Sequence, residues 1–385
     1  PFPLKSVDGT PLRANGTSLP DVLDAADSDG IGAWLRDCLD REETPSAAAY
    51  LSLGDLTGIE VEVLAGDIEP KATWKVALRS AEQTLPAGVG ERPVALHRAL
   101  RAVLRHAEYR GSLERLADFQ SNLVRVTAPS ATRVAREVGR RVALSMRQQL
   151  GLGTEPIHDL AQVVEEFGVP VEFSTKLPDT LQGFTTWDLT SHGWSAVITI
   201  NAKDVWTRQR YTLAHEFCHV LHGDRPLDLT SEYDGETVEK AKRDPLEARA
   251  DSFAATFLVP RLGLQQAWVS EALDRVSKSV ALARMMWHWG VSKEAMCIAM
   301  ENSNVSWTKR DSDSVVGSVG SLMEQAGLDQ EWTAAKESLE GEFVPSAWLA
   351  TCAVELFEQG KAPLELYAAA ADVELREAAR LVESA

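Results

Sequence analysis

The sequence predicts a mostly helical α+β fold, with a small antiparallel sheet packed against one central helix and helical regions before and after. Three observations carry this. The stretch Tyr211-Thr212-Leu213-Ala214-His215-Glu216-Phe217-Cys218-His219-Val220-Leu221-His222 reads as a buried helix, apolar at Leu213, Ala214, Phe217, Val220 and Leu221, and contains H-E-x-x-H. Just before it, Ala196-Val197-Ile198-Thr199-Ile200 is a β-branched run of strand character. Elsewhere apolar residues recur at helical spacing, as in Leu96, Leu100, Val103 and Leu104.

Taken in order, residues 1–45 are rich in Gly, Pro, Ser and Asp and carry one short helical piece at 31–39. Residues 53–66 have the rhythm of two short helices joined by a tight turn at Gly58. Residues 72–120 read as helical, and Arg98, Arg101 and Arg105 form a stripe expected to be a solvated face. A long arginine-rich helix over 134–150 is stopped by Gly151-Leu152-Gly153, and another over 157–167 by Gly168. Pro170-Val171-Glu172-Phe173 begins strand material. Residues 183–188 and 194–201 are expected to pair antiparallel across Thr190-Ser191-His192-Gly193. The loop 223–243 carries Asp224, Asp228, Glu232, Asp234, Glu236 and Glu239; it reads as a solvated connection, though its acids could favour a basic substrate segment. Residues 244–260 form a second helix, with Asp244 as N-cap and Pro245 at the first helical position. Past Pro260 come helices whose Met and Trp residues read as core. Residues 302–320 are polar, Ser-rich and linker-like, and short helices follow, with a small helix-turn-helix-like unit across 357–377.

The chemistry gathers on two of these helices. Positions i and i+4 share a helix face, so His215 and His219 can direct two imidazoles at one metal ion, with the Glu216 carboxylate beside them to take a proton from metal-bound water. A third ligand is needed. His222 lies seven residues from His215, ~10.5 Å of helix rise, too far for one ion on a straight helix. Glu247 and Asp251 are better placed: acids four apart on one face repel unless a positive group lies opposite. With zinc there, Glu247 binds the metal and Asp251 accepts a hydrogen bond from the outer nitrogen of a ligating histidine. The competing reading of this pair is a solvated first turn whose acids favour the helix dipole. Two His and one Glu suit Zn2+ and tolerate Mn2+. Tyr211, Arg210, His222 and Tyr233 are the candidates to stabilise an oxyanion, and the sequence does not choose among them.

Arg-Gln-Arg-Tyr-Thr-Leu-Ala-His-Glu-Phe-Cys-His at 208–219, Glu-Ala-Arg-Ala-Asp-Ser-Phe-Ala at 247–254 and Leu-Val-Pro at 258–260 together resemble the ImmA/IrrE family of metallopeptidases. The resemblance runs from about residue 127 to about 304, and Phe217-Cys218 stand where the family usually has a Leu-Gly or similar pair, at packing positions. It implies that His215, His219 and Glu247 are zinc ligands, that Glu216 is the catalytic base, and that the substrate is a helix-turn-helix repressor cut to release transcription in stress response or mobile-element induction. In zinc peptidases of this general architecture an edge strand, here expected within 183–200, binds the substrate peptide by β-augmentation. The unit at 53–66 is similar to the helix-turn-helix often fused to this family. The expected division is a helical N-terminal region at 1–125 with its helix-turn-helix-like unit near 50–80, a metallopeptidase domain at 126–303, and a helical C-terminal domain at 304–385.

Charge and composition bound the partners. A net charge of −18 opposes non-specific nucleic-acid binding by the whole molecule. The would-be recognition helix carries Glu60 and Glu62 and none of the residues that read base edges, which favours a packing or docking module over direct DNA binding. No run of 18 apolar residues exists, so no membrane span is expected. Four scattered cysteines (Cys38, Cys218, Cys297, Cys352) without C-x-x-C suggest reduced thiols in a cytoplasm. With Pro1 first, the native start is expected to lie upstream. The competing class is a binding protein that retains zinc as a fold staple: a transcriptional regulator, or a toxin–antitoxin or phage-immunity component.

Overall fold

The computed structural model describes residues 75–78, 91–123, 132–190, 193–224 and 245–384. The short helix expected at 31–39, the helix-turn-helix-like unit at 53–66 and the acidic loop beyond Asp224 lie outside them. The described elements run β1 (Lys75–Leu78), α1 (Glu91–Leu104), α2 (Ala107–Asn122), α3 (Thr132–Gln149), α4 (Leu160–Glu165), β2 (Val171–Ser174), β3 (Gly183–Thr190), β4 (Gly193–Asn201), α5 (Trp206–His222) and α6 (Pro245–Leu258). After them come α7 (Arg261–Ser270), α8 (Lys278–Trp289), α9 (Lys293–Glu301), α10 (Lys309–Ser314), α11 (Val319–Ala326), α12 (Asp329–Leu339), α13 (Ala347–Glu358), α14 (Leu364–Ala371) and α15 (Leu375–Ser384). This is the mostly helical α+β fold expected. No described helix is long and apolar enough to cross a membrane.

The sheet has the order β1-β3-β4-β2. The predicted β3–β4 pair is antiparallel, with Gly183 opposite Ile200 and Thr190 opposite Gly193. The sheet is nevertheless mixed rather than antiparallel, because β2 runs parallel to β4, Val171 opposite Ile198. Residues 175–182 are too long for a tight hairpin, and they let the chain pass over the place where β4 inserts between β2 and β3. The expectation of an edge strand within 183–200 also fails. Both β3 and β4 are interior, since Lys75–Leu78 pairs antiparallel along Phe184 to Trp187. The helical expectation for 72–120 fails at this segment, which an open row of backbone donors and acceptors on β3 recruits as a strand.

Alternation along β3 sorts its side chains to two faces. Thr186 bonds His97 (2.8 Å) and Asp188 bonds Arg101 (2.5 and 2.6 Å), both on α1. Arg101 is therefore an ion-pair partner packed on the sheet, not part of a solvated stripe. The opposite face meets α5: a Cβ at Gly183 would lie 2.8 Å from Thr212 Cγ2. The sheet is thus held between α1 and α5. Behind α5, helices α3 and α6 touch backbone to backbone at Gly139, where an added Cβ would sit 2.1 Å from the Arg249 carbonyl oxygen, so only glycine fits.

Residues 302–320 are packed, not a linker. They form α10 and bury Trp307 and Val315, with Trp307 stacked edge-on against Trp268 at 6.2 Å. Its polar composition concealed two apolar anchors. The C-terminal helices are tied to the core by buried carboxylates. Glu165 at the end of α4 accepts from Ser346 Oγ and from the Trp348 and Val171 backbone amides. Arg92 on α1 pairs with Glu172 of β2 at 2.6 Å and donates to the carbonyls of Ala369 and Ala370 in α14. One hydrophobic cluster consequently runs from Leu96 through Phe217 and Phe253 to Ala370.

Candidate metal centre

Helix α5 is buried along nearly its whole length, and His215, Glu216 and His219 are 1%, 2% and 7% exposed. Helix α6 packs across it through Phe253 and Phe257, whose rings meet Phe217 at 6.3 Å each. That packing brings the first turn of α6 over the histidines. His215 Nε2 lies 3.1 Å from Glu247 Oε2, His219 Nε2 lies 3.3 Å from Glu247 Oε1, and the two Nε2 atoms are 3.2 Å apart. Among the described residues these three form a group whose ligand atoms fall within 4.8 Å of one another.

The outer nitrogens fix the rings. His215 Nδ1 donates to Asp251 Oδ1 (3.1 Å) and His219 Nδ1 to Asp224 Oδ2 (2.8 Å). Ionised carboxylates only accept, so each Nδ1 carries the proton and each Nε2 presents a lone pair in the neutral ring. Two lone pairs and a carboxylate aimed at one point repel unless a cation sits there. Their separations also fit: tetrahedral ligands at ~2.0–2.1 Å from zinc stand about 3.3–3.4 Å apart. The donor set therefore suits zinc, with one position left for water.

Asp224 escaped the sequence reading, which placed it in a solvated loop. Gly223 ends α5 in the left-handed conformation (φ 62°), the chain reverses at once, and the Asp224 amide bonds the His219 carbonyl (3.0 Å). The carboxylate thereby lies beside His219 and also pairs with Arg249 of α6, whose side chain is 5% exposed. An acid immediately after a helix-stopping glycine, five residues past His219, was the available signal. Thr185 was also missed: its hydroxyl donates to Glu216 Oε2 at 2.7 Å, with both residues buried. Strand periodicity alone cannot say which helix residue a β3 side chain meets.

The four candidate oxyanion stabilisers part company. Tyr211, half-buried one turn before His215, donates to Asp251 Oδ1 at 3.1 Å, the same oxygen that accepts from His215 Nδ1. Arg210 points the other way, donating to the carbonyls of Gly290, His158 and Ile157; burial lowers its pKa to about 10. His222 turns back on its own helix, with Nδ1 2.9 Å from the Cys218 carbonyl, and its pKa falls to about 4 through burial and then the Arg249 charge. Tyr233 lies outside the described residues.

In the metal-free site a proton takes the place of the cation. Burial disfavours charge on His219, but its hydrogen bonds to Asp224 and Glu247 outweigh it and raise its pKa to about 10. Burial likewise pushes Glu247 up, and the two imidazoles overcome this, holding it well below the usual carboxylate range. With the His219 pKa raised in this way, zinc entry near neutrality is expected to release a proton. Zinc affinity is expected to fall about tenfold per pH unit as pH drops below neutrality. Calorimetry of zinc binding in buffers of different protonation enthalpy measures the release; zero net release would contradict the assignment.

No curated protein matches the chain. A protein-family model does match over residues 164–301, a span that holds His215, Glu216, His219 and Glu247 together with the sheet strands β2 to β4. The model that residues 164–301 match is that of the IrrE N-terminal-like domain, of the ImmA/IrrE peptidase family.

Proposed function

We propose that the chain is a zinc-dependent, site-specific endopeptidase that cuts a helix-turn-helix transcriptional repressor, acting in the cytoplasm in a stress response or in mobile-element induction. The observation that carries the enzymatic part is the convergence of His215, His219 and Glu247 with Glu216 as their buried neighbour. A structural zinc site is usually closed by four protein ligands, whereas three donors and an adjacent carboxylate make an open site with a base. The repressor substrate rests on the family resemblance alone.

Zinc, when bound, polarises the scissile carbonyl and lowers the pKa of a water molecule; manganese is tolerated by the same donors. The rest is done by the chain. His215, His219 and Glu247 would hold the metal, while Asp251 and Asp224 keep both imidazoles in the liganding tautomer. Glu216 takes the proton of the attacking water and hands it to the leaving amine. Among the described candidates only Tyr211 has its hydroxyl tied to a residue that supports the site, and to donate to the developing oxyanion that hydroxyl would have to turn away from Asp251.

The test is a proteome-wide map of new protein N-termini in cells expressing the wild type or Glu216→Gln. New termini that depend on Glu216 and cluster in a DNA-binding repressor are expected. No difference, in resting and stressed cells alike, would turn the reading to a zinc-stabilised binding protein, and salt-dependent DNA binding without cleavage would make it a regulator.

A further inference from the structure

We infer that Thr185 is a positioning residue for the general base, assigning one oxygen of Glu216 to the proton and holding back the other. The inference rests on the endopeptidase reading for its kinetic part only. Glu216 is 2% exposed, and a buried carboxylate without partners is costly. Its partner comes from another element: Thr185 of β3, itself fully buried, donates to Oε2 at 2.7 Å.

A general base in this setting must do two things in sequence with one oxygen. It accepts a proton from water, and it then returns that proton to the amine nitrogen as the peptide bond breaks. A carboxylate has two nearly equivalent oxygens and a soft terminal torsion, so an unrestrained glutamate can rotate or carry the proton on the wrong oxygen. The Thr185 hydroxyl removes that freedom. Donation to Oε2 occupies a lone pair there, makes Oε2 the poorer base, and leaves Oε1 to receive and release the proton. The hydroxyl keeps its own proton throughout, because an aliphatic alcohol is far too weak an acid to give it up. Position is secured by the sheet: β3 is hydrogen-bonded on both sides, and Gly183, two residues earlier on the same face, lets the strand approach α5 closely.

The test uses zinc-loaded full-length protein and an internally quenched peptide selected as cleaved from a mixed library. Thr185→Val is expected to lower kcat about ten- to a hundredfold, the loss of a hydrogen bond to a charged group, with KM changed less than about threefold. Thr185→Ser restores the hydroxyl and should recover most of kcat. Zinc stoichiometry should stay at the wild-type value in both variants. Wild-type kcat in Thr185→Val, or a Thr185→Ser variant as slow as Thr185→Val, would overturn the inference. If Thr185→Val does not fold, Thr185→Ala carries the same expectations. A second readout does not need turnover. In infrared difference spectra, with Glu216→Gln subtracted to isolate the Glu216 carboxylate, its stretching bands should shift in Thr185→Val and not in Thr185→Ser; unmoved bands would overturn it. If the wild type cleaves no peptide, the endopeptidase reading fails, and the infrared bands still decide whether Thr185 holds Glu216.

Discussion

Glu216→Gln will lose peptide cleavage by about 10²–10⁴-fold while binding zinc as the wild type does. The separation follows from geometry. Glu216 lies on the same helix as His215 and His219 but outside the three converging side chains, and its Oε2 is taken by Thr185. Glutamine keeps the volume and can still accept from the Thr185 hydroxyl through its carbonyl oxygen, so the buried site stays packed and satisfied. What it cannot do is accept the proton of water. Activity should therefore fall without a change in zinc stoichiometry or folding. Metal analysis and denaturation of the purified variant, beside its cleavage rate, check all three. His219→Ala makes the contrasting case, in which zinc and activity are expected to go together, since one of the three proposed ligands has been removed. If Glu216→Gln cleaved within about tenfold of wild type, the base would have to be another group and the role given to Glu216 would be wrong.

The convergence of His215, His219 and Glu247 at this candidate site was legible in the sequence, and the reasons are local. H-E-x-x-H places two imidazoles on one helical face whatever the surroundings, because the 3.6-residue period does so. Glu247 and Asp251 could be paired because their spacing on a helix makes sense only opposite a cation or in water. Gly151, Gly153 and Gly168, predicted as stops, all have positive φ in the structure, as the ends of α3 and α4 require. What escaped depends on contacts between distant segments. The parallel pairing of β2, the recruitment of Lys75–Leu78 to β3 and the Thr185–Glu216 bond leave no periodic trace. Arg101 looked like one charge of a solvated stripe because its partner, Asp188, is 87 residues away. Trp307 and Val315 were hidden by their serine-rich neighbours, since two buried anchors flanking a short polar helix suffice to pack it.

Asp224→Ala is expected to cost about 3–5 kcal/mol of folding stability in the zinc-free protein, and to weaken zinc binding about 10–100-fold. Two separate losses combine at this residue. Arg249, 5% exposed, faces Asp224 and would keep its buried charge without that carboxylate, which is the expensive way to break an ion pair. His219 would lose the acceptor for its Nδ1 proton, and with it both its fixed tautomer and part of its basicity toward the metal. Asp251→Ala isolates the second loss. Asp251 supports His215 in the same manner, but its side chain is 54% exposed, so removing it leaves no buried charge behind. It should weaken zinc binding with little change in stability. The pH dependence follows the same pairing. Burial raises the Asp224 pKa, but His219 and Arg249 outweigh it and lower the folded value. Its stabilising contribution is therefore complete above the unfolded value of about 3.8 and is lost as pH falls through the lower folded value. Urea denaturation of the zinc-free variants near neutral pH, with zinc titrations alongside, separates the two effects. Equal stability losses for Asp224→Ala and Asp251→Ala would show that Arg249 finds another partner and that Asp224 acts through His219 alone.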